Sequence, residues 1–240
     1  MPAIREQSPD PLPGPRGAAR DDAEILVVEG LTKRWPRLER PVLDAVSLTV
    51  RAGSRTRIVG ANGAGKTTLI RVIAGLVLPE AGTVRVEGHD PVRDREAVQR
   101  RVGFLSAGDR GLYARLTVRQ HLDLWSRLAL LPAARRRAAV ERSMADFALH
   151  DLEGARTDRM SMGQRQRLRV AMAFLHEPRL TLLDEPMNSL DDAAADLLAA
   201  AIARTAQVGG ACLWISPGDD RASVDFDATL VLAGGRLEPR

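Results

Sequence analysis

Residues 60–67 read Gly60-Ala61-Asn62-Gly63-Ala64-Gly65-Lys66-Thr67. Glycines at this spacing let backbone N–H groups converge on a phosphate chain. The lysine adds a point charge for its β/γ end, and the threonine hydroxyl can reach a Mg²⁺ ion. The chain has only two lysines, Lys33 and Lys66; every other one of its 35 Lys and Arg residues is Arg. A composition that writes Arg almost everywhere keeps Lys where a thin stem with a compact charge suits the chemistry and a broad planar fork does not.

A second segment supplies carboxylates. Leu180-Thr181-Leu182-Leu183 followed by Asp184-Glu185-Pro186 predicts a buried strand whose C-terminal end carries two acids, the place where ligands sit in open α/β sheets. Asp184 is suited to hold Mg²⁺ through water, with Thr67 as direct ligand, and Glu185 to orient or activate an attacking water. Met160-Ser161-Met162-Gly163-Gln164, continued by Arg165, offers a hydroxyl and bare N–H groups at a helix start. That arrangement serves either an anion or simply a helix cap. Ser189-Leu190-Asp191 alone reads as a helix cap.

The elements that must position these residues follow from period and punctuation. Strands are expected over Ile25–Lys33, Val42–Val50 and Arg55–Val59, the last running straight into the glycine loop. A helix over Lys66–Ala74 ends at Gly75. Strands over Thr83–Gly88 and Arg101–Leu105 flank a short charged helix near Asp94–Arg100. From Thr117 to about Phe147 the period turns helical, with Leu122, Trp125, Leu128 and Ala129 on one face, and Pro132 divides this insertion in two. Its run Arg135-Arg136-Arg137 reads as a solvated helix face or a contact to a partner protein or acidic lipid. A helix over Met162–His176, the Leu180–Leu183 strand, a helix near Asp191–Thr205, a strand over Ala211–Ser216 and a hairpin over Thr229–Leu237 complete the α/β alternation.

Composition sets bounds on this reading. At 240 residues with 45% hydrophobic, 28% charged and 3% aromatic content, one large aliphatic core is expected. The net charge of +4 is modest, and the basic stretches lack the interleaved aromatics of a base-stacking surface, so nucleic acid is not an expected partner. The single cysteine, Cys212, lies within an apolar strand pattern and reads as a small buried hydrophobe. With one cysteine no disulfide can close within the chain, which fits a reducing compartment. Residues 1–23 are rich in Pro and charge and read as a disordered leader. No apolar run approaches a membrane span. His89, His121, His150 and His176 show no metal-ligand spacing.

The order of phosphate loop, helical insertion, Met160-Ser161-Met162-Gly163-Gln164, four hydrophobic residues before Asp184-Glu185-Pro186, and Ser189-Leu190-Asp191 resembles the ATP-binding subunit of an ABC transporter over residues 24–237. The resemblance implies a P-loop NTPase core with a mainly parallel sheet, an N-terminal antiparallel β subdomain and a helical subdomain at about 113–165, all within one domain at 24–240. It implies ATP and Mg²⁺ as cofactors. Gly60, Asn62, Gly63, Ala64, Gly65, Lys66, Thr67 and Thr68 would cradle the phosphates, with Thr67 and Asp184 at the metal and Glu185 and Lys66 in catalysis. Two subunits would pack head to tail, so that Ser161, Gly163 and Gln164 of one complete the site of the other, with Asp191 near the seam. Trp35 falls where the family places an aromatic that stacks on adenine, although a Trp beside a Pro turn is also a plain packing residue. The partners implied are a second ATP-binding subunit, like or unlike, and a membrane permease holding the chain at the cytoplasmic side of the membrane. The stretch Leu112–Arg119 resembles the corresponding segment of drug and polysaccharide exporters, which makes export the expected direction.

The chain departs from the family twice. Where a Gln usually follows the strand ending at Leu105, it has Ser106-Ala107-Gly108-Asp109, with Asp109 as a partial substitute. Where a His usually contacts the γ-phosphate and the catalytic Glu, the chain has Ser216-Pro217-Gly218, and no His follows His176. Loss of such a contact costs roughly 2–4 kcal/mol, or about a hundred- to a thousandfold in rate. The expectation is intact ATP binding with slow hydrolysis. The alternative is a hydrolysis-impaired subunit acting as an ATP-dependent clamp or regulatory partner.

Overall fold

The computed structural model describes residues 23–36, 38–108, 111–218 and 224–240. The leader expected over 1–23, except Ala23, and Asp109 lie outside them.

Two sheets organise the chain. Strands β1 (Glu24–Lys33), β2 (Leu43–Arg51) and β4 (Ala81–Val86) form an antiparallel sheet in the order β2-β1-β4. The second sheet has the order β5-β6-β7-β3-β8-β9, built from β3 (Arg55–Val59), β5 (Val102–Leu105), β6 (Leu180–Asp184), β7 (Ala211–Ser216), β8 (Ala228–Ala233) and β9 (Arg236–Pro239). Every pairing in it is parallel except the terminal β8–β9 hairpin. Helices α1 (Lys66–Ile73), α2 (Arg95–Gln99), α5 (Met162–Phe174) and α6 (Asp192–Gln207) make the crossovers, while α3 (Val118–Leu128) and α4 (Ala133–Asp146) form the helical insertion.

The parallel strands are buried on both faces, and the two-residue period sorts their side chains between two cores. Leu180 and Leu182 of β6 join Leu213 and Ile215 of β7, together with α1 and the antiparallel sheet, in one cluster. Leu183, Cys212 and Trp214 point the other way, into a cluster shared with α3, α4, α5 and α6. Cys212 is thus a packing residue, and burial pushes its thiol up to about 12.

The helix ends follow their sequence signals. Gly75 has φ 70°, and the amides of Gly75 and Leu76 donate to Val72 O and Arg71 O at 3.0 and 2.9 Å, closing α1 in the manner of a Schellman turn. Thr117 caps α3 in a reciprocal pair with Gln120. One expectation for α3 is corrected. Val118 and Leu122 are buried and Trp125 packs against them, but Leu128 is 45% exposed. The buried face runs through Val118, Leu122, Trp125 and Ala129, and Leu128 falls on its rim, where the fully buried His121 takes the inward place two turns earlier.

At the end of the sheet away from the glycine loop, Glu87 accepts from Arg101 Nε at 3.1 Å and Arg179 Nε at 2.7 Å, tying the approach to β5 to that of β6. Nearby, the His176 Nε2 bonds to Val102 O at 3.1 Å while Nδ1 is buried with no partner among the described residues, and burial pulls the imidazole from 6.5 down to about 4. Below pH 6.5 the unfolded chain therefore takes up this proton before the folded one does. Stability should fall by about 2 kcal/mol between pH 7 and pH 5, the loss levelling off below the folded-state value. Urea titrations across that window check this, and His176→Asn should flatten the slope.

Candidate functional site

Because β5, β6, β7 and β3 are parallel, with Leu105 beside Leu183, Asp184 beside Ile215 and Val59 beside Ser216, their C-terminal ends share one edge. The loops leaving that edge are 60–65, 106–108, 185–191 and the turn at Pro217 and Gly218. The separated sequence motifs are thereby brought together.

The glycine loop joins β3 to α1. Gly65, with φ 107°, is the N-cap residue; a Cβ there would stand 2.6 Å from Val42 O, so only glycine fits. No side chain caps α1 and no acid lies in its first turn, which leaves its leading N–H groups and positive dipole end for an anion. Lys66 is 5% exposed, and its Nζ donates to Gly60 O at 2.7 Å and Ala61 O at 3.0 Å. Burial lowers the ammonium's pKa, opposed by the charges of Glu185 and Asp184. This cation is thus held under the loop by two carbonyls, facing two carboxylates across the strand ends.

Asp184 is 1% exposed, and both its Oδ atoms are buried without a well-formed hydrogen bond among the described residues. Burial raises its pKa, opposed by the nearby Thr67 hydroxyl. A carboxylate kept from water beside a hydroxyl, with unfilled lone pairs, fits a hard divalent cation on oxygen ligands. Thr67 and Asp184 are the pair that sequence reasoning named for Mg²⁺. Glu185 follows in the left-handed region at φ 52°, its N–H donating to Ile215 O at 2.9 Å.

The segment carrying Trp35 is anchored beside the same loop. Val42 N–H donates to Lys33 O at 2.7 Å, closing the base of the segment that carries Trp35, and Val42 O is the atom against which Gly65 packs. The ring is 38% exposed with Lys33 Nζ 5.0 Å from its centroid.

Ser161 and Gln164 form a reciprocal cap on α5, with Ser161 Oγ accepting from Gln164 N–H at 3.2 Å and Gln164 Oε1 from Ser161 N–H at 2.9 Å. Asp191 caps α6, accepting from Ala194 N–H at 2.8 Å. The capping alternative thus describes both motifs within one chain. Gly163 packs under the same turn as Glu185: a Cβ there would lie 3.0 Å from Ser189 O.

Two side chains that sequence reasoning missed bind these loops together. Gln166 Nε2 donates to Pro186 O at 3.0 Å, and its Oε1 accepts from Arg169 Nη1 at 2.6 Å. Arg169, 5% exposed, also donates to Ser106 O at 2.6 Å and to Gly108 O. The segment that lacks the usual Gln is therefore pinned to α5 by a buried guanidinium. An Arg inside the apolar run Leu168–Phe174 was the available signal. The 218 position is open among the described residues, none of which lies within 4 Å of a Cβ built there.

The sequence profile of the family described as ABC transporter matches residues 43–188. The chain is 39% identical over 146 residues to the ABC transporter ATP-binding protein NatA of Bacillus subtilis (strain 168), an alignment covering 61% of this chain and 59% of NatA. It is 32% identical over 213 residues to the probable multidrug ABC transporter ATP-binding protein YbhF of Escherichia coli (strain K12), covering 89% of this chain and 37% of YbhF. The chain thus spans between about a third and three-fifths of these relatives' own lengths. Among solved structures, an ATP-binding subunit of an ABC transporter superposes with a TM-score of 0.81 at 27% identity, covering 89% of this chain and 88% of the other.

Proposed function

The chain belongs to the ABC transporter family as an ATP-binding protein, and on that premise we propose that it binds MgATP and hydrolyses it slowly to drive export through a membrane permease. The observation that carries this reading is the pairing at one sheet edge of an uncapped helix start bearing buried Lys66 with the buried carboxylate of Asp184 beside the Thr67 hydroxyl.

Each residue's role follows from its surroundings. The N–H groups of Gly63, Gly65, Lys66, Thr67 and Thr68 would grip phosphate oxygens at the dipole end of α1. Lys66 Nζ would exchange the carbonyls of Gly60 and Ala61 for the β/γ oxygens. Thr67 and Asp184 would hold Mg²⁺, which supplies positive charge against the phosphates. Glu185, at the rim beside them, would orient the attacking water and accept its proton. Trp35 would stack on the base. Ser161, Gly163, Gln164 and Asp191 would act across a head-to-tail dimer, where Ser161's N–H and Oγ lie at the start of a helix whose dipole attracts phosphate.

No helix among the described residues is long and apolar enough to cross a membrane, so the proposed membrane position, on the cytoplasmic side, comes through a permease. Export is supported by the Leu112–Arg119 segment and by the likeness to a multidrug transporter protein. Slow hydrolysis is supported by Gly218 and by the Ser106–Gly108 segment, neither of which offers the usual side chain.

Equilibrium binding of MgATP to wild type and Lys66→Ala tests the reading. Removal of the ammonium is expected to weaken affinity about thirtyfold, the loss of about 2 kcal/mol from a charge-assisted contact. Equal affinities in the two proteins would contradict it.

A further inference from the structure

Glu185 has a backbone conformation rare for a side-chain-bearing residue, φ 52°. The direction of its carboxylate therefore depends on what grips the turn that follows. The Asn188 N–H donates to Glu185 O at 3.3 Å, and Asn188 Nδ2 donates to Glu185 Oε2 at 2.8 Å. The turn closes at Ser189, which is itself left-handed at φ 66°. Asn188 thus grips the residue proposed to activate water twice, with its backbone N–H on the Glu185 carbonyl and its side-chain amide on one carboxylate oxygen.

Across the site, the expected orienting group is missing. Gly218 carries no side chain, and the turn there is held by Ser216 Oγ donating to Gly218 O at 2.7 Å. That bond fixes backbone and directs no side chain of residue 218 at Glu185.

We propose that Asn188 is the positioning residue for Glu185, supplying from the same chain the orientation that family members take from a His at position 218. This rests on the reading of Glu185 as the group that activates water. The amide is suited to the task. It binds Oε2 as a donor and leaves the second carboxylate oxygen, Oε1, for the water. Asn188 is exposed, so truncating it removes the contact without opening a void in the core.

The test is single-turnover ATP cleavage, read beside ATP affinity and Tm, for Asn188→Ala, Asn188→Ala with Gly218→His, and Glu185→Gln. Asn188→Ala should slow cleavage about tenfold with affinity and Tm unchanged, and Gly218→His in that background should restore the rate to wild type or above. A rate unchanged in Asn188→Ala while Glu185→Gln is inactive would overturn the positioning role and leave the reading of Glu185 standing. A fall in affinity or Tm matching the fall in rate would make the role structural, and overturns it equally. Cleavage retained by Glu185→Gln would overturn the reading of Glu185 and the positioning role with it.

Discussion

Glu185→Gln is expected to reduce ATP cleavage by roughly 10²–10⁴-fold, the usual worth of a positioned general base, while MgATP affinity stays within about threefold of wild type. The amide has the shape of the carboxylate and can still accept the Asn188 Nδ2–H, so the left-handed turn at residue 185 keeps its grip. What it loses is the capacity to take a proton from water. Lys66, Thr67 and Asp184 are untouched, and these carry the proposed affinity for the triphosphate and its metal. Rapid-quench cleavage and equilibrium binding on the same preparation separate the two effects. Cleavage within tenfold of wild type would assign the base elsewhere.

Gly218→His is expected to act in the opposite direction, accelerating cleavage about a hundred- to a thousandfold by restoring a donor to the γ-phosphate in the transition state. The site can accept the change. No atom of the described residues lies within 4 Å of a Cβ at this position, and the Ser216 bond that shapes the turn goes to the Gly218 carbonyl, which any residue keeps. Gly218→Ala should leave the rate unchanged, since it adds a methyl group and no donor. A gain in Gly218→Ala equal to that in Gly218→His would attribute the effect to backbone stiffening rather than to the imidazole. A histidine variant no faster than wild type would show that the bare position does not limit the rate.

The strands and helices were legible because each carries a local signal: a period, a cap or a breaking glycine. Gly75 ends α1 and Ser161 and Asp191 begin α5 and α6 at the places their residue types predict. The main site was legible because its chemistry is written in contiguous runs, the glycine loop and the Asp184-Glu185 strand end, which a parallel sheet must bring to one edge. Arg169 was not legible, because its partners Ser106 and Gly108 lie 63 and 61 residues back along the chain. Nor was Asn188. Its contact exists only because residue 185 takes a left-handed conformation, and no local propensity predicts that for Glu. Leu128 was misplaced for a related reason: a helical period sets which residues share a face but not where the partner helix ends the buried stripe.

The central claim is that the site binds MgATP with its phosphate loop intact while the bare position 218 slows cleavage. Single-turnover cleavage, with protein in excess over MgATP, tests it most directly when wild type and Gly218→His are run side by side. Saturable, Mg²⁺-dependent binding is expected in both, with bound ATP cleaved at least about a hundredfold faster in the histidine variant. Equal cleavage rates, or no saturable binding by wild type, would contradict it.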